Sequence, residues 1–253
     1  MEWINPVWEA PSQIQSLIST RLGGVSQAPY DSLTLGDHVG DVPENVAHNR
    51  SVLRSHLPTE PVWLKQVHGT IVSTPDQRLH IHQQYIVADA IVSSKPNEVL
   101  AIMTADCLPV LFCASDGSVV GAAHAGWRGL CSGVLEKTVN EMLALSPHLK
   151  SQDILAYMGP AIGPSSYEVG DDVFQAFQES SIKVSENDFV AIPNKQGKYL
   201  ANLYSLARTR LVAAGMYRIS GGQMCTHLDR QHFFSYRRDG ITGRFASFIW
   251  ISE

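Results

Sequence analysis

Residues 118–147 read SVVGAAHAGWRGLCSGVLEKTVNEMLALSP. Two periods meet inside this stretch. Residues 118–123 are short and apolar, with Val119 and Val120 side by side, the composition of a buried strand. From 129 to 145 the apolar positions move to helical spacing. Leu130, Val134, Thr138 and Met142 recur at i, i+4, with Leu135, Val139 and Leu143 beside them. The pattern predicts an amphipathic helix over 129–145, ended by Ser146-Pro147. A strand therefore runs directly into a helix, with His124 at the junction.

Working outward, residues 61–67, 85–93, 98–103 and 109–114 predict further strands, rich in Val, Ile and Leu and bounded by Pro, Gly, Asp or Ser. Residues 153–158 predict another strand, and 245–251 a closing one. Helices are expected over 45–56, with Asn45 as its cap, and over 171–179 and 201–214. Strands come first in a run, then helices and strands mix. The expected class is α+β: a layered α/β arrangement with mixed β-sheets flanked by helices, not a regular doubly wound sheet. No repeat, low-complexity tract or charge block divides the chain, so residues 1–253 are expected to form a single catalytic domain.

A chain of 253 residues buries a sizeable core without staples, and 44% hydrophobic with 17% charged residues is ordinary for a globular protein. The net charge of −5 argues against a nucleic-acid partner held by bulk charge. It leaves room for a small anion held by two or three basic side chains. The opening MEWINPVWEAPSQI has neither the basic region nor the apolar run of a signal peptide, and the apolar runs at 99–103 and 109–113 are too short to span a bilayer. The expectation is a cytoplasmic monomer with no membrane partner. Cys107, Cys113, Cys131 and Cys225 form no C-x-x-C pair. In a reducing compartment each is a buried small residue, a metal ligand or a nucleophile.

KQVHG (65–69), TADCLPV (104–110) and AAHAGWRG (122–129) place His68, Cys107 and His124 at strand-to-loop junctions, where side chains converge on a rigid frame. Two histidines and a cysteine suit Zn²⁺, and three protein ligands leave a fourth position open, as catalytic zinc requires. The long intervals between the three match no compact zinc-finger pattern. The residues alone leave two other readings open: histidines satisfied by backbone with a core thiol, or Cys107 as a nucleophile with a histidine base.

STRLGGVS (19–26), LGDHVGDVPENVAHNR (35–50), KQVHG, ADAIVS (88–93), TADCLPVL (104–111), AAHAGWRGL (122–130), GPAIGPSSYEVG (159–170) and FFSYRRDGITGRFA (233–246) occur in this order over nearly the whole chain. Together they resemble the YfiH-type family. That family carries the label of laccase-domain or multicopper polyphenol oxidase, and its members are understood as zinc-containing purine nucleoside phosphorylases with some adenosine deaminase activity. The resemblance implies a fold like the catalytic domain of the cytotoxic necrotizing factors. It implies a metal triad of His68, Cys107 and His124, holding zinc or alternatively copper. The implied substrates are phosphate with a purine nucleoside: inosine, adenosine or methylthioadenosine.

Phosphorolysis needs basic groups beside the sugar carbon. The candidates, in order, are Arg50, Arg21, Lys65 and Arg238; Arg128 and Arg237 also lie in Gly-rich or metal-adjacent segments, with Trp127-Arg128 alternatively packing under the site. Asp106 is a candidate acid/base or a partner for a histidine N–H, and alternatively a turn cap before Pro109. His38 is either a site residue or a turn histidine. Tyr167-Glu168 lines the pocket or packs at a strand end. Cys113, Cys131 and Cys225 read as buried thiols. His80, His82, His148, His227 and His232 show no ligand logic. Two other functions remain: a copper-dependent polyphenol oxidase, which needs more ordered histidines than a chain whose single H-x-H pair is His80/His82 offers, and a Cys–His hydrolase or amidase acting in peptidoglycan-precursor editing.

Overall fold

The computed structural model describes residues 2–79, 86–185 and 188–253; the His80/His82 pair and the first residue of the strand expected over 85–93 lie outside them. Four layers stack on one another. A six-stranded sheet runs in the order Arg218–Gly221, Ile154–Met158, Leu108–Ala114, Val120–Ala125, Ala90–Ser93, Val72–Ser73. Its two outermost pairings are parallel and the others antiparallel, so the sheet is mixed. A four-stranded sheet, Trp3–Ile4, Ile14–Ser19, Phe245–Ile251, Leu100–Thr104, is antiparallel throughout. The fold class is the mixed α/β arrangement expected from the sequence.

Side-chain alternation explains the layering. In Leu108–Ala114, Val110, Phe112 and Ala114 join a core with Leu135, Val139 and Met142 of helix Val134–Leu145 and Leu206, Ala207 and Leu211 of helix Leu203–Ala213. Leu111 and Cys113 face the other way, into a core with Ile18, Leu100, Ile102, Phe245 and Ile249 of the second sheet. That sheet's outer face, Leu17, Ala101, Met103, Ala246 and Phe248, is covered by Leu53 of helix Pro43–Arg54. A strand buried on both faces reads as a continuous apolar run, even in an antiparallel sheet.

Four expectations are corrected. The helix over 129–145 is two helices, Trp127–Cys131 and Val134–Leu145, broken where Gly133 takes φ = 90°. The strand over 61–67 shrinks to Leu64–Lys65, because the Gln66 side chain grips the Met103 backbone instead: Nε2 donates to Met103 O at 2.8 Å and Oε1 accepts from Met103 N at 2.9 Å. The strand over 85–93 divides into Ile86–Val87 and Ala90–Ser93, which belong to different sheets. The helix over 45–56 spans Pro43–Arg54, and Asn45 does not cap it; Val42 occupies that position without a side-chain bond, and Pro43 stands in the first turn. No helix among the described residues is long and apolar enough to cross a membrane.

Candidate metal centre

Three junctions converge. His68 follows strand Leu64–Lys65, Cys107 precedes strand Leu108–Ala114, and His124 lies near the end of strand Val120–Ala125. Their ligand atoms all lie within 4.8 Å of one another. Cys107 Sγ is 3.7 Å from His68 Nε2, and the two imidazole centroids are 4.7 Å apart. A tetrahedral ion bonded to nitrogen and sulfur separates such atoms by about 3.5 Å. The donor set and its spacing therefore fit a metal ion with an open fourth position. Among the described residues this is the one cluster of three His, Cys, Asp or Glu ligands. The small residues around His124 have a reason: a Cβ on Gly126 would stand 2.6 Å from His68 Cδ2 and 3.1 Å from Cys107 Sγ.

Two of these junctions carry unusual backbone. His68 has φ = 61° and Asp106 φ = 96°, both in the left-handed region, which costs an L-residue about 1–2 kcal/mol. Side-chain bonds hold both in place. Asp106 Oδ1 accepts from Thr226 Oγ1 and Oδ2 from Arg237 N, each at 2.6 Å, so both oxygens are engaged and fix the residue before Cys107. His68 is held by Asp89. That fully buried carboxylate accepts from His68 N at 2.8 Å, Gly69 N at 2.6 Å and His124 Nδ1 at 2.9 Å. One carboxylate thus orients the ring of one ligand and the backbone of the other, and leaves His124 Nε2 for a metal. The partner of the histidine N–H is therefore Asp89 and not Asp106. Sequence reasoning passed over Asp89, although a lone carboxylate inside the strand-forming ADAIVS was the available signal.

Charges follow the geometry. Burial alone would raise the Asp89 carboxyl, but the bonds from His124, Gly69 and Val67 hold it below its usual range. Burial would likewise raise the Cys107 thiol; His124 and then His68 reverse this and bring it down to about 6. Burial would lower His124, whereas Cys107 and Asp89 push it up to about 9. The two shifts run in the directions that favour a thiolate beside an imidazolium, and a metal bound there would take the place of the imidazolium proton.

The triad opens on a cavity of about 410 Å³ that His38, Gln66, Met103, Tyr236 and Arg244 also line. A second cavity of about 310 Å³ shares His38, Gln66 and Met103 with it and adds Asp37, Arg50, Trp63 and Lys65.

A family model described as "Multi-copper polyphenol oxidoreductase laccase" matches residues 15–252. "Purine nucleoside phosphorylase YfiH" of Escherichia coli strain K12 is 50% identical over 250 residues, 98% of each chain. The chain belongs to the YfiH family. Among other members, the "Purine nucleoside phosphorylase" of Haemophilus influenzae is 48% identical over 255 residues, 99% of each chain. The crystal structure of a Neisseria meningitidis protein superposes with a TM-score of 0.91 at 45% identity, covering 100% of both chains.

In this YfiH-family chain the candidate phosphate residues separate. Arg50 and Lys65 reach the second cavity. Arg50 Nε donates to Leu35 O at 3.0 Å, Nη2 lies 3.4 Å from Asp37 Oδ2, and the guanidinium sits 4.3 Å from the Trp63 ring centroid. Arg21 lines neither cavity: it borders a different cleft, paired with Asp31 at 3.1 Å. Arg238 is spent internally, donating to the carbonyls of Thr226, His227 and Phe233 and pairing with Asp239. Arg128 lies over Trp127 at 4.4 Å. Arg237 donates to Glu168 O at 2.6 Å and lies over the buried Tyr167 ring, which packs against the core. Cys113 is buried, with its thiol pushed up to about 12 by burial, while Cys131 and Cys225 are half-buried. The sequence reading did not single out Arg244 individually, although Gly243 before it in a Gly-rich motif was a usable signal.

Proposed function

We propose that this chain is a zinc-dependent purine nucleoside phosphorylase. It takes inosine, adenosine or methylthioadenosine with phosphate to the free base and the sugar 1-phosphate. The observation that carries this reading is that two cavities share the wall of His38, Gln66 and Met103, one bearing the His68–Cys107–His124 triad and the other Arg50 and Lys65. The names of the Escherichia coli and Haemophilus influenzae relatives support it.

In this reading the nucleoside occupies the cavity at the triad, with Tyr236 and Arg244 on its walls. Phosphate occupies the adjoining cavity, where Arg50 is preorganised by Leu35 O, Asp37 and Trp63 and needs no ordering on binding. Lys65 adds a second positive charge on the rim. Zinc bound at the triad would supply a Lewis acid softened by the thiolate, able to hold and orient a nucleoside atom and to activate water for adenosine deamination. Asp89 orients the ligands and Asp106 positions Cys107. Arg21 and Arg238 act outside the substrate cavities. A single domain, a cytoplasmic location and a monomeric state belong to this reading, and size-exclusion with light scattering tests the last.

Hypoxanthine release from inosine by purified protein, with and without phosphate, tests the reading. Phosphate-dependent release supports phosphorolysis; no release under either condition overturns it. Inosine formed from adenosine measures deamination at the same centre. Metal analysis of the purified protein separates zinc from the copper of the laccase label. One observation favours a second reading, a Cys–His hydrolase: with no metal bound, the lowered Cys107 thiol beside the raised His124 makes a nucleophile with a general acid next to it. Hydrolysis of amide substrates by the chelated protein is its test.

A further inference from the structure

Phosphorolysis builds negative charge on the departing purine, and some group must protonate it. Both Asp106 oxygens are engaged, and Asp89 is fully buried behind the triad. His38 is different. It lines both cavities at once. Nδ1 lies 3.5 Å from Asp37 Oδ1, and Asp37 Oδ2 lies 3.4 Å from Arg50 Nη2. Arg50 is in turn fixed by Leu35 O and Trp63. This chain turns Nδ1 of His38 toward Asp37 and leaves Nε2 for a ligand. The charged groups acting on the ring are Asp37, Arg244 and Arg50: burial and Arg244 pull its pKa below the ordinary value, and Asp37 opposes them. The imidazole is 59% exposed, so it exchanges protons with solvent.

Resting on the phosphorylase reading, we propose that His38, oriented by Asp37, is the general acid that protonates the departing purine. An oxygen of hydrogen phosphate bonds to C1′ as the C1′–N9 bond breaks. The electron pair of that bond passes into the purine ring, and the imidazolium form of His38, whose Nδ1–H faces Asp37, gives its Nε2 proton to N7. Hydrogen phosphate loses its proton on becoming the ester, and that proton returns through solvent to the imidazole. Atoms and charge balance without a further co-reactant.

The test compares leaving groups. N7-methylinosine already carries its positive charge on the purine and departs without a proton. Steady-state rates with inosine and with N7-methylinosine are measured at saturating phosphate for the wild type, His38→Ala, His38→Gln and, as a comparison, Tyr236→Phe, with bound metal assayed in each. The expected result is an inosine kcat about 100-fold lower in both His38 variants, N7-methylinosine little affected, and metal content unchanged. Equal loss on both substrates overturns the proposal, as does retained inosine activity or the same leaving-group pattern in Tyr236→Phe. A wild-type enzyme inert toward inosine and phosphate overturns the phosphorylase reading itself, so the two failures are distinguishable.

Discussion

Single residues decide the metal centre, and Cys107 is the most exposed to test. Its thiol is drawn down to about 6, so between pH 5 and 7 it passes from mostly neutral to mostly ionised. In metal-free protein its alkylation rate is expected to rise over that range and level off above it. Cys113, at about 12 and buried, is expected to stay unmodified until the protein unfolds, and added zinc is expected to protect Cys107. Mass spectrometry of iodoacetamide-treated protein across pH reads all three. Cys107→Ala removes one ligand of three; metal content is expected to fall to background while the circular dichroism spectrum stays native. Asp89→Ala has a wider effect, because it strips a fully buried carboxylate from His124 Nδ1 and from the N–H groups of His68 and Gly69. A loss of about 3 kcal/mol in unfolding free energy is expected by denaturant titration. Metal affinity is expected to weaken by about 10–100-fold in the same variant. The residue types of the ligands were legible in KQVHG, TADCLPV and AAHAGWRG. Asp89 stood out only as a lone carboxylate in ADAIVS; its partner was not legible, because His124 is 35 positions away and only strand pairing brings them together.

Elements were legible where burial is periodic. The strands at 98–103, 109–114, 153–158 and 245–251 have counterparts within a residue or two, and the helical stretch 129–145 is helical on both sides of one break, because alternation and the 3.6-residue period record which faces are buried. Ends and breaks were less legible. Gly133 reads as one more small residue, yet its φ of 90° ends one helix and starts the next. Helix Pro43–Arg54 begins at Val42, which has extended backbone, an exposed side chain and no cap bond. Val42→Asp supplies an acceptor for the open N–H groups of the first turn. It is expected to raise unfolding free energy by about 1 kcal/mol in denaturant titration, with activity unchanged.

The whole molecule keeps its apolar cores and its candidate metal centre largely separate. Three apolar cores lie between and outside the two large sheets, and none includes a residue of the triad. Chelation is therefore expected to lower Tm without unfolding the protein. At free zinc 100 times the dissociation constant, the linkage contribution is about 2.7 kcal/mol, and calorimetry across a zinc series reads it as a concentration-dependent Tm. Sequence alone determined the alternation of strand and helix and the layered mixed-sheet class, and it supplied residue types at 68, 107 and 124 that can bind a metal, a role that the family resemblance singled out. The first two are carried by local periodicity and the last by residue type together with the order of the family's motifs. Tertiary structure alone decided that Asp89 braces two ligands, that Arg50 and Lys65 share a cavity wall with His38, and that Arg21 and Arg238 are held elsewhere. Those facts depend on sheet register and on bonds between distant positions, such as Asp106 with Thr226 and Arg238 with Phe233, which no local pattern encodes.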